Sequence, residues 1–103
     1  MDLDSLRADL DQIVRETEAA IAAMEAEQAE DADEATDSEA DREEALVEAA
    51  QERRAEAVAA LARIDAGTYG VCVDCGDTIS VERLEFRPEA ARCLACQEKF
   101  EQL

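Results

Sequence analysis

Four cysteines constrain this chain more than any other feature: Cys72-x2-Cys75 and Cys93-x2-Cys96, with seventeen residues between the pairs and no cysteine elsewhere. Each pair offers two thiolates from one tight turn, and two such turns can complete a tetrahedron around a single ion. The spacing therefore points to a structural zinc site with four sulfur ligands. All four coordination positions are then filled, leaving none for water or substrate. A disulfide pair is the alternative, but it needs an oxidising compartment. No basic-apolar export signal stands at Met1–Asp4 and no transmembrane run is present, so the expected setting is the cytoplasm.

A chain of 103 residues with 3% aromatics has little from which to build a large core, so a metal is a natural staple. Its formal charge of −18 should repel DNA and RNA, which argues against direct nucleic-acid binding. A basic groove or channel on another protein would attract it instead. A generally acidic proteome would produce the same bias, and Lys99 as the single lysine fits either reading. Histidine is absent, which removes the commonest general base, and no catalytic constellation is visible; a non-enzymatic role is expected.

Every glycine (Gly67, Gly70, Gly76) and the single proline (Pro88) lie beyond residue 66. Residues 2–66 are rich in strong helix formers. Leu3, Leu6, Leu10, Ile13, Thr17, Ala20 and Met24 trace one heptad seam, and Val47, Ala50, Arg54, Ala57, Leu61 and Ile64 a second, with Leu46 and Val58 beside it. Between them the acidic stretch Glu30–Ser38 interrupts the pattern, and Thr36 with Glu39 forms a capping-box signal for a helix starting near residue 37. A bend near residue 34 makes the seams face each other, setting Leu3 near Ile64, Leu10 near Ala57 and Thr17 near Ala50. Arg54 would have to snorkel from such a seam. A single unbroken helix that dimerises is the rival; the hairpin reading predicts a monomer.

The fold class expected is thus mainly α. Residues 1–66 form an antiparallel coiled-coil hairpin with an acidic tip near 30–38, and residues 67–103 a four-cysteine zinc module. Within that module, Gly67 suits a left-handed helix cap, Ile79, Val81 and Leu84 suggest a short β-hairpin, and Pro88 precedes a final helix carrying Cys93 and Cys96.

The fuller pattern Gly67-Thr68-Tyr69-Gly70-x-Cys72-x2-Cys75-Gly76-x2-Ile79-x3-Arg83-Leu84-x3-Pro88-x4-Cys93-x2-Cys96 closely resembles the zinc finger of the DksA/TraR family. Members carry a helical hairpin ahead of the finger, with a tip of the form Asp-x-x-Asp-x-Ala. Here Asp33 and Ala35 match it, and Glu30 stands where the first Asp would be. The resemblance implies a non-catalytic regulator that binds RNA polymerase, its hairpin entering the secondary channel and its tip approaching the catalytic magnesium. It also implies basic alarmone contacts on the second helix and in the finger. Arg87 retains one, as a contact to polymerase or alarmone, whereas the other two positions hold Glu56 and Gln97, which argues against a response to guanosine tetraphosphate. The N-terminal helical region of longer members has no counterpart before the first seam, and the final helix is short. A different class of function remains open: a hairpin and finger that recognise a partner other than polymerase. A thiol oxidoreductase is disfavoured, because its CxxC normally opens a helix in a βαβ setting.

Overall fold

The computed structural model describes residues 2–31 and 37–103, with side chains described for 2–26 and 44–103. Four helices follow in order: α1 (Leu3–Asp31), α2 (Asp37–Ala66), α3 (Val81–Phe86) and α4 (Leu94–Glu101). Asp2 caps α1, its Oδ1 accepting from the Asp4 and Ser5 backbone N–H groups at 3.0 and 3.4 Å. At the far end of α2, Thr68 N–H reaches Arg63 O and Gly67 N–H reaches Ile64 O, with Gly67 at φ +77°. This pair of bonds is a Schellman ending, and it requires the left-handed backbone that glycine adopts most easily.

The first two helices run antiparallel. Arg7 pairs with Asp65 at 3.0 Å and Glu18 with Arg54 at 2.9 Å, eleven residues forward on α1 matching eleven back on α2. Both pairs are largely solvated, so each is worth about 0.2–1 kcal/mol and marks register more than it stabilises. Arg54, the awkward member of the second seam, escapes to solvent by reaching across to Glu18. One continuous helix over residues 2–66 would be roughly 97 Å long, whereas the longest dimension of the molecule is 50 Å. The hairpin is therefore the fold, and its bend near residue 34 lies outside the described residues.

Leu10, Ile13, Ala57 and Ala60 form the hairpin core, with Val14, Leu61, Ile64 and Tyr69 packed against it. Alanine on α2 lets the backbones approach beneath the larger side chains of α1. The seam departs from expectation at Ala60, fully buried though off the traced pattern, and at its edges. Leu3 and Ala20 are exposed, while Ile21, four residues beyond buried Thr17, turns partly inward. Thr17 lies in this apolar seam with its hydroxyl donating to Ile13 O at 2.7 Å, so the burial leaves no orphaned donor.

The module beyond Gly67 is more helical than its sequence suggests. Strand pairing is reduced to one bridge, Val71 with Thr78. Val81 and Leu84 belong to α3, because Ser80 Oγ caps that helix by accepting from Arg83 N–H at 3.2 Å. α4 begins only at Leu94: Pro88 and Glu89 enter a turn closed by Ala90 N–H to Arg87 O, and Cys93 is the extended N-cap residue. A second small core of Cys72, Ile79 and Leu84 sits here, and Tyr69 packs against it as well as against the hairpin core.

Leu10 has no exposed surface. Leu10→Ala should cost about 2–5 kcal/mol through lost burial and a residual cavity, whereas exposed Leu46→Ala should stay within about 0.5 kcal/mol. Urea unfolding of the zinc-loaded protein, followed by helical circular dichroism, checks both.

Candidate metal centre

Local backbone geometry brings the cysteine pairs together. The first pair lies on a knuckle: Gly76 N–H donates to Cys72 O at 3.0 Å, Cys72 N–H to Asp77 O at 2.8 Å, and Gly76 adopts φ +77°. Ile79 N–H closes the loop on Gly70 O at 2.8 Å. The second pair straddles the start of α4, with Cys93 as N-cap and Cys96 in the first turn. Cys93 makes no side-chain capping bond, which leaves its sulfur free for the centre. A backbone rung joins the two knuckles, Val73 N–H donating to Ala91 O at 2.9 Å.

The four Sγ atoms lie within 4.8 Å of one another, and Cys75 and Cys93 are 3.8 Å apart. Zinc–sulfur bonds of about 2.3 Å in a regular tetrahedron put the sulfurs about 3.8 Å from each other. The residues thus fit one zinc ion. Cys72 is buried, Cys75 exposed, and Cys93 and Cys96 lie between these extremes.

The electrostatics also call for a cation. The Cys75 backbone N–H donates to the Cys72 sulfur and, with help from the Cys93 and Asp74 amides, holds its thiol down at about 6. Cys96 shows the reverse: sulfur–sulfur hydrogen bonds with Cys93 and then Cys72, together with burial, push it up to about 12. A divalent ion at the centre would deprotonate all four ligands and remove this conflict. Such an ion is structural in its chemistry, because the sulfurs fill its coordination sphere.

The other residues singled out in the sequence lie elsewhere. Glu30 is in α1 with its side chain outside the description, and Asp33 and Ala35 lie outside the described residues altogether. Arg87 is the C-cap of α3. Its side chain, Glu56 and Gln97 line one cleft between α2 and the finger, together with Glu89. Burial first, and then the Glu89 and Glu52 charges, raise the Glu56 carboxyl above its ordinary value. The structure also shows an ion pair with no sequence signature, Arg92 with Asp74 at 2.6 Å. Neither residue type is a zinc ligand in such a cage, so only their juxtaposition in space marks them.

Comparison with known proteins agrees with this geometry. Residues 67–102 match the family model described as prokaryotic dksA/traR C4-type zinc finger. An RNA polymerase-binding transcription factor DksA of Caulobacter vibrioides is 29% identical over 95 residues, covering 88% of this chain and 67% of its own length. Transcription factor DksA2 from Pseudomonas aeruginosa superimposes with a TM-score of 0.74 at 25% identity, covering 96% of this chain and 82% of that one. The solution structure of DnaK suppressor protein from Agrobacterium tumefaciens C58 gives 0.72 at 29% identity, covering 96% and 94%.

Chelation should unfold residues 67–100 while much of the hairpin helicity persists, and zinc analysis of the untreated protein should give one ion per chain. Circular dichroism with and without chelator tests this; a finger unchanged by metal removal would contradict it. Acidification should also release the ion as the thiolates take up protons, and a zinc-sensitive dye can follow that release. Four sulfurs gathered at the base of a helical hairpin thus coincide with a match of residues 67–102 to the dksA/traR C4-type zinc finger, and the chain as a whole is similar to DksA proteins along both hairpin and finger.

Proposed function

We propose that this protein is a non-catalytic transcription regulator that binds RNA polymerase, with its hairpin entering the secondary channel and the segment around Glu30, Asp33 and Ala35 foremost. The observation that carries this reading is the extent of the likeness. It spans hairpin and finger together, 96% of the chain in two solved structures, and the Caulobacter relative is named as an RNA polymerase-binding transcription factor. A likeness confined to the finger would support only a metal module. In this reading residues 1–66 are the probing arm, and residues 67–103 the knob that Cys72, Cys75, Cys93 and Cys96 hold together around zinc.

Physical chemistry supports the same partner. Two helices side by side make a narrow rod, and a net charge of −18 draws it toward a positively lined channel rather than toward nucleic acid. Carboxylates at the tip suit the neighbourhood of a magnesium ion, which prefers oxygen ligands. Glu30 keeps the charge of the usual Asp with a longer reach. In this reading the protein works in the cytoplasm, as a monomer whose two seams cover each other within one chain. No helix among the described residues is long and apolar enough to cross a membrane.

A pull-down of core polymerase tests the reading. The unaltered protein should retain polymerase, Cys72→Ser should abolish retention by disrupting the knob, and Asp33→Asn should weaken the effect on transcription in a reconstituted assay. Failure of the unaltered protein to retain polymerase would overturn the proposal.

The cleft holding Arg87 bears on regulation. Glu56, beside Glu89, brings negative charge where one of the family's basic contacts would be, and Gln97 is neutral; Arg83 and Arg92 also line the cleft, but they are engaged by Arg92 O and Asp74 respectively. Guanosine tetraphosphate should therefore have little effect on the polymerase complex. The double substitution Glu56→Lys, Gln97→Lys should increase its binding by about tenfold or more, given about 1 kcal/mol or more per reversed or added contact. Equilibrium binding with labelled nucleotide measures the change.

A further inference from the structure

Arg92 stands immediately before Cys93 and ties three parts of the finger together. Its Nε–H donates to Asp74 Oδ2 at 2.6 Å, and Asp74 lies between Cys72 and Cys75. Its guanidinium carbon is 4.1 Å from the centroid of the Phe100 ring, on α4 and four residues beyond Cys96. Its own carbonyl accepts from Arg83 Nε at 3.0 Å, which fixes the backbone where the second pair begins. One side chain thus spans from the interior of the first cysteine pair to the helix that carries the second.

The charge balance gives this position a second consequence. Zinc with four thiolates carries a net charge of about −2, on a chain whose own formal charge is −18. Arg92 and Lys99 line the same open cleft as Cys75 and Cys96. The Arg92 side chain is about three-quarters buried, with its guanidinium over an aromatic ring and bonded to Asp74, so its charge is only partly screened.

We propose that Asp74, Arg92 and Phe100 form a clamp that presets the two cysteine pairs for zinc, with Arg92 as the positioning residue. The clamp holds the knuckles at the separation the ion needs and offsets the negative charge of the loaded cage. It makes no bond to the metal and acts through the placement and electrostatics of the sulfurs. This role is independent of the macromolecular partner and sets how tightly the chain keeps its zinc.

Zinc affinity and release rate, measured on the full chain by competition with a chromophoric chelator, test it. Arg92→Gln should weaken zinc binding about 10–100-fold, the usual cost of losing a group that orients metal ligands. It should also speed release, while the zinc-saturated protein keeps its helical circular dichroism. Arg92→Lys should recover part of the loss, since it restores the charge without the fork and the ring stacking. Asp74→Asn combined with Arg92→Gln should be little worse than Arg92→Gln alone, because both remove one bond. The visible spectrum of the cobalt-substituted Arg92→Gln protein should remain that of a four-sulfur tetrahedron. Phe100→Leu, which leaves the ion pair intact, should cost a few-fold in affinity and serves if Arg92→Gln does not fold. Affinity and release within about twofold of the unaltered protein for Arg92→Gln would overturn the clamp. So would losses that simply multiply in the double variant, or no loss in both Asp74→Asn and Phe100→Leu.

Discussion

Four thiolates gathered within bonding distance of one point repel one another, and the finger keeps this form because a divalent cation can neutralise them. The magnitudes make the dependence plain. The small core of the module contains Ile79 and Leu84 as its fully buried aliphatic side chains, worth about 1.5–3 kcal/mol each. A structural zinc in small model folds is worth about 10–16 kcal/mol. The glycine turns, the extended N-cap at Cys93 and the rung from Val73 to Ala91 all place sulfur where that larger energy can be gained. The hairpin obeys a different rule, since its core is a seam of aliphatic contacts that needs no ion.

Tyr69 joins these two regimes. It packs against the hairpin core on one side and the finger core on the other, and its hydroxyl donates to Pro88 O at 2.9 Å. Burial raises its phenol above the ordinary range, with the nearby Arg63 cation acting in the opposite sense. The tyrosine therefore remains a neutral hydrogen-bond donor at physiological pH. Its position directly after the Schellman ending of α2 is what allows one ring to serve both cores.

Much of the architecture is legible in the sequence because its signals are periodic or chemically exclusive. The glycine-free run, the two seams and the lapse between them favour a hairpin over one unbroken helix, and buried Leu6, Leu10, Ile13, Thr17 and Ala57 lie on the seams as traced, with buried Ala60 off them. Cysteine spacing alone is enough to indicate the cage. The misreadings arise where local signals compete. Ile79, Val81 and Leu84 look β-like by residue type, yet the Ser80 cap converts the segment to helix and only Ile79 and Leu84 are buried. Ala20 continues a formal heptad, but the next inward position is four residues beyond Thr17, at Ile21, as a 3.6-residue period allows. The Asp74–Arg92–Phe100 cluster has no sequence signal because its members are eighteen and eight residues apart and meet only once the knuckles close.

The shared ring at the base has a mechanical consequence. Helix α2 extends 30 residues from the joint, so a rotation of about five degrees at Tyr69 would sweep its distal end by about 4 Å, given a rise of about 1.5 Å per residue. Small repacking around the tyrosine or the metal is thus magnified by leverage, and the aim of the far end depends on the stiffness of a joint some 45 Å away.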